Sequence, residues 1–353
     1  QRGCTRGCRF CQAGMIYRPV REKDPGSIFD ELRALAADTG YEEISLTSLS
    51  SADYSRIEEL ISDACGCFTP QGVNISLPSL RIDSFSVDLA KKFQSSRKGS
   101  LTFAPEAGSE RLRRVINKGV TAEDLLTAAE AAFRAGWQKL KLYFMIGLPT
   151  ETEEDLAGIV ELVNAVFRIG KTVYPRTNAL RITTSVSTFV PKPHTPFQWR
   201  RQISVAETIE KQRYLQEKIR GKSLELDWHN PETSRLEGIM ARGDRRLSGI
   251  IYQAWRKGAQ FDGWGDQFRP EIWWDTFREN GIDPDFYTRE RSYDEILPWS
   301  HLNAGLKTEF LKAENEKAER AEPTVDCRDA SCYNCGVCPQ LKTAKRIAGD
   351  PDA

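Results

Sequence analysis

Hydrophobic positions over residues 25–220 follow two alternating patterns. Over residues 27–37, Ile28, Leu32 and Leu35 recur at helical spacing, and Gly40 follows as a candidate C-cap. Thr121, with an acid three residues later, predicts the capped start of another helix. Further helices are predicted over residues 54–64, 87–94, 121–136, 153–170 and 204–220. Strands are predicted between the helices, over residues 43–49, 73–77, 100–104, 140–147 and 179–190.

These five strand–helix units predict an α/β fold in which helices flank a parallel sheet that is closed or partly closed as a barrel. The chain opens at Gln1 without an initiator Met and reaches Cys4 within three residues. We therefore expect upstream sequence that supplies a strand before Cys4. The predicted fold is a partial TIM-like (β/α)6 barrel without its first strand, followed by a small, mainly helical region and a Cys-rich tail.

The alternation is predicted to stop after Arg220. We divide the chain into a core barrel (1–220), a helical aromatic-rich cap (221–306), a charged linker or solvated helix (307–322) and a Cys-rich metal-binding tail (323–353). The aromatic block is expected to form the core of the cap, and no basic stripe accompanies it to suggest nucleic acid. Its tryptophans are Trp228, Trp255, Trp264, Trp273, Trp274 and Trp299.

Composition narrows the class of protein. The 353 residues include 50 basic and 50 acidic side chains, so net charge gives no reason to expect a nucleic-acid or membrane partner. No uncharged run approaches the roughly 18 apolar residues of a membrane span. Nine cysteines, an odd number, cluster mainly at the two ends without a visible signal peptide. This pattern favours thiolate ligation in a cytoplasmic protein over a secreted disulfide framework.

Three cysteines, Cys4, Cys8 and Cys11, are spaced as C-x3-C-x2-C. A structural zinc site needs four ligands, and no neighbouring histidine or cysteine completes this one. Three thiolates on a short loop suit three corners of a [4Fe–4S] cluster and leave one iron open to a chelating substrate. Basic side chains around the loop are expected to offset the anionic cluster and to favour thiolate over thiol. They are Arg2, Arg6, Arg9, Arg18 and Arg21.

The cysteine spacing, with the aromatic Phe10 before the last cysteine, resembles the radical S-adenosylmethionine superfamily. The resemblance extends through RGCTRGCRFCQAG, SLTFAPEAGSERLRRVINKG, FMIGLPTETEED and SVSTFVPKPHTPFQW. These segments resemble the branch that holds the methylthiotransferases, and most closely its cobalamin-binding-type radical proteins. Members of that group carry a cobalamin-type domain before the barrel. Cobalamin would therefore reach this protein only through sequence upstream of Gln1.

The resemblance implies that S-adenosylmethionine binds the open iron and is cleaved reductively to methionine and a 5′-deoxyadenosyl radical. It also implies an electron donor such as a flavodoxin or a ferredoxin. Glu106 matches the family position that meets the ribose hydroxyls, and Ser109 or Arg111 would meet the methionine carboxylate. Ser48 lies where many members carry a Gly-Gly-Glu for the methionine amino group. Gly147 matches the segment near adenine, and Phe10 is the aromatic residue beside the cluster.

The second group, Cys327, Cys332, Cys335 and Cys338, supplies four thiolates and is followed by Pro339. The C-x2-C-x2-C-P run is typical of ferredoxin loops and favours an auxiliary [4Fe–4S] cluster, with a four-cysteine zinc site as the alternative. Either metal would serve structure or electron transfer. Cys65 and Cys67 are interpreted as ordinary small residues near a helix end.

The leading hypothesis is a radical S-adenosylmethionine enzyme that modifies a substrate, by methylation or methylthiolation among other outcomes. Two alternatives come from other classes. One is a non-catalytic iron–sulfur protein for electron transfer or redox sensing, and the other is a zinc-containing RNA-binding module. Because one barrel hosts many chemistries, the resemblance defines the radical step and leaves the substrate unidentified.

Overall fold

Two parallel sheets lie at the centre of the molecule. The computed structural model describes residues 1–76, 82, 100–176, 178–328 and 332–348. A two-stranded sheet pairs β1 (Glu43–Ser45) with β2 (Asn74–Ser76). A four-stranded sheet has the order β3–β4–β5–β6, with all neighbours parallel. Its strands are Leu101–Glu106, Lys139–Ile146, Arg181–Thr188 and Leu224–Trp228.

Helices follow most of the strands and supply the outer layer. Within the described ranges, no helix combines the length and apolar content that a membrane span requires. The first seven helices, α1 to α7, are Gln12–Ile16, Pro25–Thr39, Ile57–Phe68, Glu110–Val115, Ala122–Arg134, Glu153–Val173 and Val205–Lys218. The next six, α8 to α13, are Pro231–Arg242, Leu247–Arg256, Pro270–Glu279, Asp285–Thr288, Thr308–Glu319 and Val337–Gln340.

The predicted parallel α/β organisation is confirmed, while closure into a six-stranded barrel and the missing first strand stay predictions. Thr121 forms the predicted capping box with Asp124, and Gly40 ends α2 in the left-handed conformation at φ 65°. β1 is shorter than the run predicted over residues 43–49, and α3 starts three residues later than predicted and continues to Phe68. The helix predicted over residues 87–94 lies outside the described residues.

The prediction that the alternation stops at Arg220 is wrong, because β6 extends the sheet beyond it. Ile182 of β5 is paired with Leu224, and the register continues to Val186 opposite Trp228. β6 has no fully buried residue, and its apolar side chains, including that of Trp228, pack against the sheet core. Trp228 therefore belongs to the four-stranded sheet and not to the predicted cap.

The helical region after β6 has a core of its own, formed by α8 to α11. Trp273 is buried in this core and Trp274 packs against it, as predicted for the aromatic block. Trp255 and Trp264 are instead exposed, and Trp299 packs with Trp199 in a separate cluster. With Trp228 at the sheet, the aromatic block is thus divided among four environments.

The segment predicted as a solvated helix or linker forms α12, and the expectation of a solvated helix is wrong. Leu311, Glu314, Asn315 and Ala318 are buried on one side of α12. Burying a carboxylate and an amide requires partners. Those partners include Arg9 in the first cysteine loop, so α12 braces that loop.

A glycine contact fixes the loop after β3 against α6. A Cβ on Gly108 would overlap the backbone of Asp155 and Ile159, and one on Gly158 would lie 2.8 Å from the carbonyl carbon of Gly108. Since the clashing atoms are backbone atoms, a rotamer change cannot relieve them. The close approach of the loop to α6 therefore requires glycine at both positions.

We expect Gly108→Ala to lower the free energy of unfolding by about 1–3 kcal/mol, because the new methyl group forces β3 and α6 apart. Urea denaturation measures the change. Gly66→Ala is the matched control, since a Cβ on Gly66 in α3 meets no atom within 4 Å. That control should stabilise the helix by up to about 1 kcal/mol. Equal stability of Gly108→Ala and the unmodified protein would contradict the packing argument.

Candidate functional site

A cavity of about 320 Å³ lies between the first cysteine loop and the end of β3. This volume is within the ordinary range of small-molecule sites. Of the residues predicted from the sequence, Phe10, Glu106 and the three cysteines of the loop line it. The lining residues are Cys4, Arg6, Cys8, Phe10, Cys11, Gly14, Leu49, Ser50, Ile82, Thr102, Ala104, Glu106, Lys118, Val120 and Tyr143.

Cys4, Cys8 and Cys11 are free of disulfides, and all three are partly accessible from the cavity. Cys11 caps α1, since its Sγ accepts a hydrogen bond from the Gly14 amide over 3.3 Å. Burial, and secondarily the neighbouring Cys8, raises the pKa of Cys11 to about 11. A metal must therefore displace the proton when it binds. Among the described residues, no three His, Cys, Asp or Glu side chains are grouped as ligands of a single metal ion.

Two of the arginines around the loop pair with acidic side chains, and the expectation that the arginines favour thiolate over thiol stays a prediction. Arg6 donates from Nε to Asp53 over 3.1 Å and also lies 3.5 Å from Asp326. Arg9 is fully buried and paired with Glu314 at 3.1 Å. These arginines fasten the loop to other segments of the chain.

Glu106 and Lys118 face each other across the cavity wall. Their Oε1 and Nζ atoms are 3.2 Å apart, and both side chains are mostly buried. Glu106 has a φ of 68°, in the left-handed region that side chains seldom adopt. Such strain is common at functional sites because it directs a side chain that an extended strand would turn elsewhere.

Lys118 and Tyr143 also line the cavity, although neither is predicted from the sequence. Lys118 stands within the SLTFAPEAGSERLRRVINKG segment, twelve residues after Glu106, so only the three-dimensional fold reveals their contact. Ser48 is not among the lining residues, and its Oγ accepts a hydrogen bond from the Ser50 amide over 3.1 Å. Its neighbours Leu49 and Ser50 contact the cavity instead.

Ser109 and Arg111 point towards α6 instead of lining the cavity. The Ser109 hydroxyl and the Arg111 guanidinium both donate to the carboxylate of Asp155. The Ser109 Oγ also caps α4 by accepting from the Leu112 amide over 3.0 Å. This network orients the helix start, and the predicted contacts of Ser109 and Arg111 with S-adenosylmethionine stay predictions.

Gly147 lines a second cavity, of about 330 Å³, beyond the end of β4. Its amide donates to both carboxylate oxygens of Glu151 over 3.0 Å, and Lys211 lies 2.9 Å from the same carboxylate. Burial raises the pKa of Glu151 against the opposing effect of Lys211. The predicted approach of Gly147 to adenine also stays a prediction.

The four tail cysteines lie in the C-terminal segment and are not among the residues that line either cavity. Cys335 is buried, and Cys332 is exposed. Cys65 and Cys67 pack against the sheet core from α3, which agrees with their interpretation as ordinary small residues.

Two known proteins match the chain over about 70% of its length. Uncharacterized protein MJ0966 of Methanocaldococcus jannaschii is 36% identical over 252 residues, covering 70% of this chain and 52% of that protein. A tRNA-2-methylthio-N(6)-dimethylallyladenosine synthase of Pelotomaculum thermopropionicum is 23% identical, covering 71% of this chain and 54% of that enzyme. The chain spans about half the length of these two relatives.

Among solved structures, the radical S-adenosylmethionine methyltransferase TsrM from Kitasatospora setae, with cobalamin and a [4Fe–4S] cluster bound, matches with a TM-score of 0.45 and 17% identity. The match covers 56% of this chain and 37% of TsrM. Residues 1–163 match the model of the Radical SAM superfamily, and this range includes Cys4, Cys8, Cys11 and Glu106. The resemblance inferred from the motifs is confirmed, and the chain carries a radical SAM domain.

Proposed function

We propose that this chain is a radical S-adenosylmethionine enzyme in which Cys4, Cys8 and Cys11 bind a [4Fe–4S] cluster and the adjoining cavity holds S-adenosylmethionine. The observation that carries the proposal is the meeting of all three cysteines with Glu106 and Lys118 in one cavity. Three thiolates leave one iron for a chelating ligand. The match to the Radical SAM superfamily over the same residues supports this assignment.

The donor set of the cavity fits both groups. The cysteines are unbridged, and the Gly14 amide supplies a hydrogen bond to the Cys11 sulfur of the kind that tunes a metal ligand. Phe10, packed against the cluster of buried apolar residues around Ala107, supplies an apolar wall beside the cysteines. When bound, the cluster supplies one electron that breaks a carbon–sulfur bond of S-adenosylmethionine, giving methionine and a 5′-deoxyadenosyl radical.

The chain's own residues bind and orient the reactants. The Glu106 carboxylate would accept hydrogen bonds from the ribose hydroxyls of S-adenosylmethionine. Lys118 holds that carboxylate and provides a positive charge for the methionine carboxylate. The apolar lining, which includes Leu49 and Val120, limits the access of water to a reactive radical.

The similarity to these relatives favours transfer of a methyl or methylthio group to the substrate. A tRNA methylthio synthase is among the matching proteins, which supports this class of reaction for the chain. The electron would come from an external donor of the flavodoxin or ferredoxin type. The substrate would lose a hydrogen atom to the 5′-deoxyadenosyl radical, which thereby becomes 5′-deoxyadenosine.

Anaerobic reconstitution tests the radical step directly. The full chain, loaded with iron and sulfide and given dithionite and S-adenosylmethionine, should release 5′-deoxyadenosine, detected by chromatography. Cys8→Ala should abolish release, because two thiolates do not hold the cluster. Cys67→Ala is the matched control and should retain release. No 5′-deoxyadenosine from a protein that holds four irons at this site would favour the non-catalytic electron-transfer alternative.

Glu106→Ala should raise the Kd of S-adenosylmethionine by about tenfold or more, since a hydrogen bond to a charged group contributes about 1.5 kcal/mol or more. Equilibrium dialysis of the reconstituted protein measures this Kd. Glu106→Gln keeps one acceptor oxygen and should lose less affinity. Glu130→Ala, on the exposed face of α5, is the control. An unchanged Kd for Glu106→Ala would show that Glu106 does not contribute to binding S-adenosylmethionine.

A further inference from the structure

The C-terminal cysteine segment is seated on the back of the first cysteine loop. The Tyr333 hydroxyl donates to the carbonyl oxygen of Thr5 over 3.2 Å, between Cys4 and Cys8 in the chain. The Cys335 carbonyl accepts from the Lys307 amide over 2.9 Å. The segment that holds the second cysteine group is therefore fixed to the same loop that holds the first.

A backbone hydrogen bond and a glycine turn shape the segment that carries Cys332, Cys335 and Cys338. The Asn334 amide donates to the Cys332 sulfur over 3.3 Å, and Gly336 turns the chain at a φ of 101°. A Cβ on Gly336 would lie 2.8 Å from Cγ of Lys307, so glycine is required for this close approach. Cys335 is a near neighbour of both Cys327 and Cys338.

Arg18 provides a second, independent observation at the same place. Its side chain is only 3% exposed, and its Nε donates to the Gly14 carbonyl oxygen over 2.9 Å. The guanidinium carbon lies 5.6 Å from the ring centroid of Phe310 and 5.3 Å from that of Tyr333. These two rings stack with planes only 9° apart. Arg18 is thus held between the first loop and the tail.

The two terminal nitrogens of Arg18, Nη1 and Nη2, are buried and make no hydrogen bond with standard geometry in the described structure. The Tyr333 hydroxyl and the Cys335 and Cys327 thiols are the groups that face the guanidinium. Neutral thiols are weak acceptors, so the cation lacks an anionic partner. A buried charge in this state is costly unless an anion is bound next to it.

We propose that Cys327, Cys332, Cys335 and Cys338 bind a metal as thiolates, and that Arg18 compensates the negative charge of this second centre. Four thiolates around a zinc ion or an iron–sulfur cluster leave a net negative charge and sulfur acceptors for the unpartnered Nη groups. The proposal goes beyond the proposed function, because it requires neither S-adenosylmethionine cleavage nor occupancy of the first site.

Gly14 connects the two cysteine groups through one residue. Its amide donates to the Cys11 sulfur over 3.3 Å, and its carbonyl oxygen accepts from Arg18. Because Arg18 is fixed at one end by Gly14 and faces the tail thiols at the other, it acts as a positioning residue for the second centre. Hydrogen bonds of this outer kind orient ligands and tune metal affinity.

Metal analysis in a chain without the first site tests the proposal. The full chain carrying Cys4→Ala, Cys8→Ala and Cys11→Ala is incubated anaerobically with iron and sulfide, and separately with zinc. We expect one centre per chain, seen as bound iron with acid-labile sulfide or as one zinc, and either metal supports the proposal. Adding Cys335→Ala should remove it. Adding Cys65→Ala and Cys67→Ala instead should leave it unchanged.

Arg18→Met in the same background should weaken metal binding by about 10–100-fold in a chelator competition, as for other outer-shell partners of metal ligands. Arg18→Lys keeps the charge and should restore part of the affinity. A triple variant with the circular dichroism of the unmodified chain but neither iron nor zinc would overturn the second site. Unchanged affinity in Arg18→Met would overturn the role of Arg18.

A second measurement tests the proposal even if the triple variant fails to fold. In the chain with its first site intact, Cys335→Ala should lower the metal content by one centre, and the first centre should remain. An unchanged metal content in that variant would also overturn the proposal. Both measurements count metal, so they are separate from the 5′-deoxyadenosine assay of the proposed function.

Discussion

The buried ion pair between Arg9 and Glu314 is the contact on which the first cysteine loop depends. Nε of Arg9 donates to Glu314 over 3.1 Å, and Nη1 donates to the carbonyl oxygens of Arg114 and Val115. Nη2 donates to the carbonyl oxygen of Glu322 over 2.7 Å. A buried guanidinium is stabilised when its donors are used in this way. One side chain therefore joins the loop to the end of α4 and to α12.

The first cysteine loop has two faces, one held by hydrogen bonds to the rest of the chain and one that lines the cavity. On its back, the Asn117 amide donates to the carbonyl oxygens of Arg6 and Gly7, and it exchanges hydrogen bonds with the backbone of Thr324. On its front, the three cysteines meet the cavity. The backbone of the loop is thus held by neutral and ionic contacts on the side away from the cavity. Preorganisation of this kind is what a metal site needs from its scaffold.

The parts of this fold that are encoded locally could be predicted from the sequence. The capping box at Thr121 and the left-handed conformation of Gly40 depend on residues within one helical turn. The spacing of the cysteines in the first loop is read directly from the sequence. β6 escaped prediction because five half-exposed residues carry little hydrophobic signal. The pairing of Arg9 with α12 escaped for another reason, since contacts between distant segments leave no local pattern. For the same reason, the contact between Lys118 and Glu106 could be identified only from the structure.

The distance along the chain between Arg9 and Glu314, 305 residues, has a consequence for biosynthesis. During translation the cysteine loop leaves the ribosome long before α12 and the tail that fix its back. Contacts of such separation form late in folding, after the sheet and its helices. The loop therefore reaches its final shape only when the C-terminal segment has been made. We therefore expect insertion of the proposed cluster into this loop to follow synthesis of the C-terminal segment.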